Sequence, residues 1–259
     1  MFLIDSHCHL DLMQTKLGIT GWEETLLAMG SVPDIMIQVA CHPETFAQTL
    51  PYLEDPRVYG AFGVHPHEAS LYTAEVEAHL RQLLQHPKSV ALGEIGLDYH
   101  YDFSPRAEQR TVFQKQLALA IELGKPIVLH TREAEEDTLE ILGEFPLQGV
   151  KIHVHCFTGT QAMADKLLAL PAEIYIGFTG IMTFKTGEEI RQIAANIPLD
   201  RLLTETDSPF LAPIPHRGKM AHPGMVHIIL ESLAQVRGLS PEAMSQIIHE
   251  NTRRCYAIA

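Results

Sequence analysis

No stretch of this sequence approaches the roughly 18 consecutive apolar residues that a membrane span requires. Its start lacks a basic region ahead of an apolar one, since the first hydrophobic residues run into Asp5 at once. No membrane association is therefore expected, and a cytoplasmic location is. Cysteine is scarce. Cys8, Cys41, Cys156 and Cys255 are widely spaced and form no CxxC pair, which excludes a zinc ribbon or a disulfide framework and predicts reduced thiols. Positive charge is also short: 19 Lys and Arg face 32 Asp and Glu, a net charge of -13. That balance opposes broad adhesion to nucleic acid or an anionic membrane, so a phosphate-bearing substrate must be bound locally. Pro and Gly are scattered, leaving no low-complexity linker, and one domain over 1–259 is expected. No GxGxxG follows the first apolar run, which argues against an open dinucleotide-binding sheet.

What is present is a repeat of short β-rich runs separated by segments of helical periodicity. Eight such runs occur, at 2–7, 35–40, 58–65, 90–98, 126–131, 150–157, 174–180 and 201–209. Helices are expected at 73–86, 133–144, 160–170, 186–196, 223–238 and 241–256. The clearest is 104–124, with Ser104 as cap, Pro105 at the first helical position and Gly124 as terminator. Eight alternating units predict an α/β fold, a single (β/α)8 TIM barrel.

Candidate ligands fall where these strands end. In IDSHCHLD, alternation puts His7 and His9 on one face as a pincer for a divalent ion. Imidazole nitrogen with carboxylate oxygen suits a borderline ion such as zinc. One HxH pair among 15 histidines says little alone; position supplies the rest. His65 ends strand 3, Glu94 strand 4, His130 strand 5, His155 strand 6 and Asp207 strand 8, and a barrel brings all these ends to one rim. Glu94 lies within an apolar strand, where a carboxylate needs cations to offset its burial. His155 is nearer the rim than His153 and is the expected ligand of that pair. Glu205 and Asp207 both face inward by parity, Asp207 towards metal or its water and Glu205 deeper, as support. Asp5, one layer below His7, is expected to orient a histidine, and Asp11 and Asp98 to be rim hydrogen-bonders or caps. His65 either ends its strand or meets the substrate's phosphate or leaving group. Arg132, Lys185, Arg217 and Lys219 follow strands 5, 7 and 8 and together suit phosphate.

Taken as an ordered set, IDSHCHLD, GVHPH, GEIGLDY, VLHTREA, HCFTG, TFK, ETDSPFLAP and RGK resemble the TatD family of metal-dependent hydrolases in the amidohydrolase superfamily, with Asn251 and Thr252 closing the match. The resemblance implies two divalent ions (Zn, Mg or Mn) per subunit. His7, His9, Glu94 and Asp207 would hold one, and Glu94, His130 and His155 the other, with Glu94 as bridge. It implies a deoxyribonuclease acting on a DNA 3′ end or short single strand. Asp207 would take the proton of the attacking water, Arg132 or Lys185 would steady the phosphate, and His65 would assist the leaving oxygen. A monomer is expected. After RGK the family usually reads Asn, Glu, Pro, whereas Ala221, His222 and Pro223 stand here, which bears on substrate choice at the mouth. The rival readings are a hydrolase of an amide, lactone or ester, including aminoacyl-tRNA deacylation, and a non-catalytic metal-binding protein.

Overall fold

The structure, a computed structural model, describes residues 1–258; the last residue of the expected domain lies outside them. Eight parallel strands form one sheet in chain order. They are β1 (Ile4–Cys8), β2 (Ile35–Ala40), β3 (Val58–Phe62), β4 (Ser89–Asp98), β5 (Ile127–Arg132), β6 (Lys151–Val154), β7 (Glu173–Phe178) and β8 (Leu202–Thr204). Nearly every strand residue is buried, as expected when helices cover the outside of a parallel sheet and side chains fill the inside. The (β/α)8 barrel is borne out.

The seam between β1 and β8 closes largely through hydroxyls. Ser6 Oγ donates to the Thr204 carbonyl (3.0 Å) and Thr204 Oγ1 to the Ile4 carbonyl (3.2 Å). Above them, the Asp207 amide donates to the His7 carbonyl (3.0 Å) and the His9 amide to the Ser208 carbonyl (2.8 Å). Closure therefore links the HxH segment directly to the loop that carries Asp207.

The outer helices are α1 (Leu10–Leu17), α2 (Trp22–Met29), α3 (Phe46–Thr49), α4 (Ala74–Leu83), α5 (Arg106–Leu123), α6 (Glu135–Gly143), α7 (Gln161–Leu168), α8 (Glu188–Asn196), α9 (Val226–Arg237) and α10 (Pro241–Tyr256). Four expected strands end short of their apolar runs, because residues 63–65, 155–157, 179–180 and 205–209 have already turned into rim segments. α5 also starts later than expected. Pro105 occupies its N-cap, while Ser104 Oγ donates to the His67 carbonyl (2.7 Å). Gly124 ends that helix at φ 62°, as the sequence indicated. Helices α1, α2 and α3 were not foreseen.

α10 fastens the closing strand. Buried Asn251 donates through Nδ2 to the carbonyls of Leu199 and Leu202, both at 2.8 Å. Asn251→Ala leaves both acceptors unpaired, and a loss of about 2–4 kcal/mol in unfolding free energy is expected in chemical denaturation, whereas a loss under about 0.5 kcal/mol, typical of a surface change, refutes the role.

Candidate metal centre

The strand ends surround a cavity of about 750 Å³. Among the residues lining it are His9, His65, Glu94, His130, His155 and Asp207, with Cys41, His67, Asp98, Arg132 and Tyr101.

His9 follows β1 as the residue before α1, at φ -118° and ψ 87°, already outside the extended region, yet its ring still lies beside that of His7, with centroids 4.9 Å apart. His9 Nδ1 is 2.9 Å from the Val39 carbonyl. That bond fixes one proton on Nδ1, and since burial lowers His9 but Asp207 and Cys41 raise it well above the ordinary histidine value, Nε2 faces the cavity with a proton that an incoming ion has to displace. His7 Nε2 and His9 Nε2 are 3.1 Å apart. Glu94 Oε2 lies 3.5 Å from the first and 4.0 Å from the second, and Asp207 Oδ1 3.9 Å and 3.5 Å. Four donors about 2.1 Å from a common tetrahedral centre stand about 3.4 Å from one another. The observed separations bracket that value, so these donors suit a divalent ion.

The other oxygen of Glu94 faces a second set. Oε1 is 2.7 Å from His130 Nδ1, 3.5 Å from His65 Nε2 and 3.6 Å from His155 Nε2. His65, Glu94 and His130 thus form a second candidate ligand group. His155 groups with His7 and Asp207, its ring stacked on that of His7 with centroids 3.5 Å apart. The two oxygens of one carboxylate are shared between two clusters of imidazoles, which is the geometry of a bridging ligand.

Burial by itself drives the Glu94 carboxyl up, but the charges of His155 and His65 and the hydrogen bonds of His130 and His65 overcome it and hold the group well below the usual carboxylate range. Burial likewise lowers His155, yet Glu205 and Glu94 raise it to about 9. Burial and the His155 charge take His7 down to about 4. Burial also brings His65 down to about 4 against the pull of Glu94. His65 Nδ1 accepts the His67 amide (3.1 Å), so neutral His65 carries its proton on Nε2, on the cavity side.

The support around these donors departs from the sequence reading in several places. Asp5 touches no imidazole. Its carboxyl accepts from the Thr206 amide (2.8 Å), Thr206 Oγ1 (2.6 Å) and the His7 amide (3.3 Å), so it positions backbone on both sides of the seam. Burial pushes it up to about 8 despite those bonds. Glu205 lies between two histidines, 3.0 Å from His153 Nε2 and 3.2 Å from His155 Nδ1, and accepts the Cys156 amide. His153 Nδ1 in turn meets the hydroxyl of Tyr256, 2.6 Å away on α10. Asp207 reaches the cavity not as a strand residue but from a left-handed turn at φ 53°. A short polar side chain tolerates that conformation better than a branched one.

Asp98 does more than cap. Its Oδ2 lies 3.1 Å from His130 Nε2 and 3.0 Å from His67 Nε2, which turns His130 Nδ1 towards Glu94. Three buried glutamines, missed in the sequence, hold the rim backbone. Gln109 Oε1 accepts the Asp98 amide (2.8 Å), and its Nε2 donates to the Asp98 carbonyl (3.0 Å). Gln116 pairs in the same way with Val64, at 2.7 and 2.9 Å. Gln38 accepts the Leu10 amide (2.5 Å) and donates to Asp11 Oδ1 (2.9 Å). Their one legible signal was a polar residue on an apolar face: Gln109 and Gln116 lie seven apart on α5.

Of the four basic candidates only Arg132 lines the cavity. Lys185, Arg217 and Lys219 are exposed on the loops beyond it, with the Arg217 guanidinium 4.3 Å from the Phe184 ring centroid. Ala221, His222 and Pro223 line none of it, and Ala221 is buried in a small apolar cluster with Ala212 and Met225.

The model of the family described as TatD related DNase matches residues 4–257. The chain belongs to the TatD family. It is 39% identical over 266 residues to the human 3′-5′ RNA nuclease TATDN2, covering 98% of this chain and 35% of that protein. The chain thus spans about a third of that relative's length. It is 40% identical over 267 residues to the metal-dependent hydrolase YcfH of Escherichia coli K12, covering 100% of this chain and 97% of the relative. The crystal structure of YJJV, a TatD homologue from E. coli K12, superposes with a TM-score of 0.85 at 26% identity, covering 99% of this chain and 98% of that one. The family resemblance carried by the ordered motifs is borne out. Among the described residues no helix is long and apolar enough to cross a membrane.

Because a ligand imidazole must be unprotonated while the candidate ligands His9, His130 and His155 all hold their protons above the ordinary histidine range, divalent binding through them near neutral pH has to expel protons. Apparent affinity for Zn²⁺ or Mn²⁺ should therefore rise with pH through the neutral range and beyond, with proton release. Calorimetry of the metal-free protein in buffers of different ionisation enthalpy checks this, and uptake with no proton release at pH 7 contradicts it.

Proposed function

We propose that this TatD-family hydrolase removes nucleotides from the 3′ end of short single-stranded DNA by hydrolysing the terminal phosphodiester. The observation that carries the reading is the division of the Glu94 carboxylate between two imidazole clusters at the mouth of one cavity. His7, His9, Glu94 and Asp207 would hold one ion, and Glu94, His130 and His155 a second. Bound there, divalent ions supply Lewis acidity and a water acidic enough to ionise near neutral pH.

The chain's own groups do the rest. The Asp207 carboxylate, next to His9 at the open side of the centre, takes the proton of the attacking water. A positioned base of this kind contributes typically about 10²- to 10⁴-fold. His65, neutral with its proton on Nε2, donates a hydrogen bond to the departing oxygen. Arg132, on the cavity wall, pairs with the phosphate, while Lys185, Arg217 and Lys219 meet the next phosphates along the strand. The acidic surface confines the attraction to this mouth, which favours a strand end over a long duplex.

The test is a metal-reconstituted screen on single-stranded DNA, duplex DNA, RNA and ester and amide panels. Cleavage of single-stranded ends, lost on chelation, is expected; turnover confined to carboxylic esters or amides overturns the reading.

Asp207→Asn should lower kcat by at least about 10²-fold with circular dichroism unchanged, and activity within a few-fold of wild type reassigns the base. Affinity should also depend weakly on salt. With about one to three phosphates neutralised, log affinity for a single strand falls against log salt with a slope of roughly -0.7 to -2. Binding of the Asp207→Asn variant to oligonucleotides of rising length at fixed divalent concentration measures it; a much steeper slope, or affinity that keeps growing with duplex length, contradicts the confined mouth.

A further inference from the structure

The loop between β4 and α5 carries two aromatic rings that the core does not use. Tyr101 is 48% exposed and Phe103 68%, the most exposed phenylalanine or tyrosine of the described residues. The two rings lie parallel, centroids 5.3 Å apart with 12° between their planes. The Arg132 guanidinium sits 4.8 Å from the Tyr101 centroid. Tyr101 and Arg132 both line the cavity, so this stack continues its wall outward.

The stack is tied to the centre. His67 meets Tyr101 and Phe103 edge-on, at 5.5 and 4.8 Å between centroids. Its Nε2 is 3.0 Å from Asp98, the same carboxylate that holds His130. One histidine therefore separates the exposed rings from a candidate ligand. Beyond them the surface turns acidic, with Glu133, Glu135, Glu136 and Asp137 grouped at the start of α6. That charge repels a phosphate backbone but not the uncharged face of a base.

We propose that Tyr101, Phe103 and Arg132 form a stacking platform for the unpaired base of the nucleotide adjoining the bond that is cut. The proposal rests on the nuclease reading and adds a requirement: the end must be unpaired, because a base on the platform has left its own helix. Stacking on aromatic rings and guanidinium planes accepts any base, so little sequence preference follows. The phosphate is placed by the centre and the base by the platform, with His67 and Asp98 keeping the two in register.

The test compares kcat/KM on a single-stranded oligonucleotide with that on the same strand carrying an abasic residue at the last or next-to-last position. Phe103→Ala should lower kcat/KM on the intact strand by about 5- to 150-fold, the loss that one stacked base carries, and Phe103→Trp should restore it. On the abasic strand that best mimics the loss, wild type should be slowed similarly and the additional Phe103→Ala penalty should collapse. Wild-type rates for Phe103→Ala on the intact strand, or an equal penalty on intact and abasic strands, overturn the platform while leaving the nuclease reading intact. A wild-type enzyme that cuts no oligonucleotide but turns over other esters overturns both.

Discussion

A carboxylate buried at the mouth of an apolar barrel is the constraint from which the rest of this structure follows. Glu94 is 3% exposed, and removing an ion of that kind from water costs several kcal/mol even after relaxation, on the order of magnitude found for buried ions generally. The offset comes from five histidines at four strand ends: His7 on β1 and His9 just after it, His65 after β3, His130 on β5 and His155 after β6. Each imidazole must present a particular nitrogen to the carboxylate. That demand propagates outward into the Val39 carbonyl behind His9, Asp98 behind His130 and Glu205 behind His155. The charge at the centre is thus surrounded by alternating basic and acidic layers.

The outer layer also links the centre to the barrel's closure. Tyr256 on α10 joins His153 to the Ser6 carbonyl on β1, and Asn251 on the same helix holds β8. At the base of that network Gly177 leaves room for Glu205 and His153, since a Cβ there would come within 2.6 Å of the first and 2.3 Å of the second. The final helix serves as the wall against which the last strand and its carboxylates are set.

Much of this was legible in the sequence where the information is local. Periodicity gave eight strands, and alternation put His7 and His9 on one face, where their rings do meet although the strand ends at Cys8. The parity argument for Glu205 and Asp207 arrived at residues that do reach the centre, but by the wrong backbone. The strand ends at Thr204, and a left-handed turn delivers Asp207. Asp5, Asp98 and the three glutamines were opaque because their partners lie elsewhere in the chain. Val64 and Gln116 are 52 positions apart, and no local pattern links them. The basic residues divide for a related reason. Following a strand end places a residue at the rim, but not its side chain in the cavity, and Lys185, Arg217 and Lys219 stay outside.

The paired clamps of Gln109 and Gln116 make α5 a common beam for two strand ends. The tip of β4, with Asp98, and the segment after β3, with Val64 beside His65, are bolted to one helix two turns apart. They therefore move as one body. The loops after β7 and β8 are tied elsewhere, by Arg191 to the Met182 and Phe184 carbonyls, by the Ile214 amide to Thr183 and by the Thr206 amide to Asp5, so the mouth stands on two separate braces. A shift of α5 would carry His65 and Asp98 with it and leave the turn that presents Asp207 on its own support.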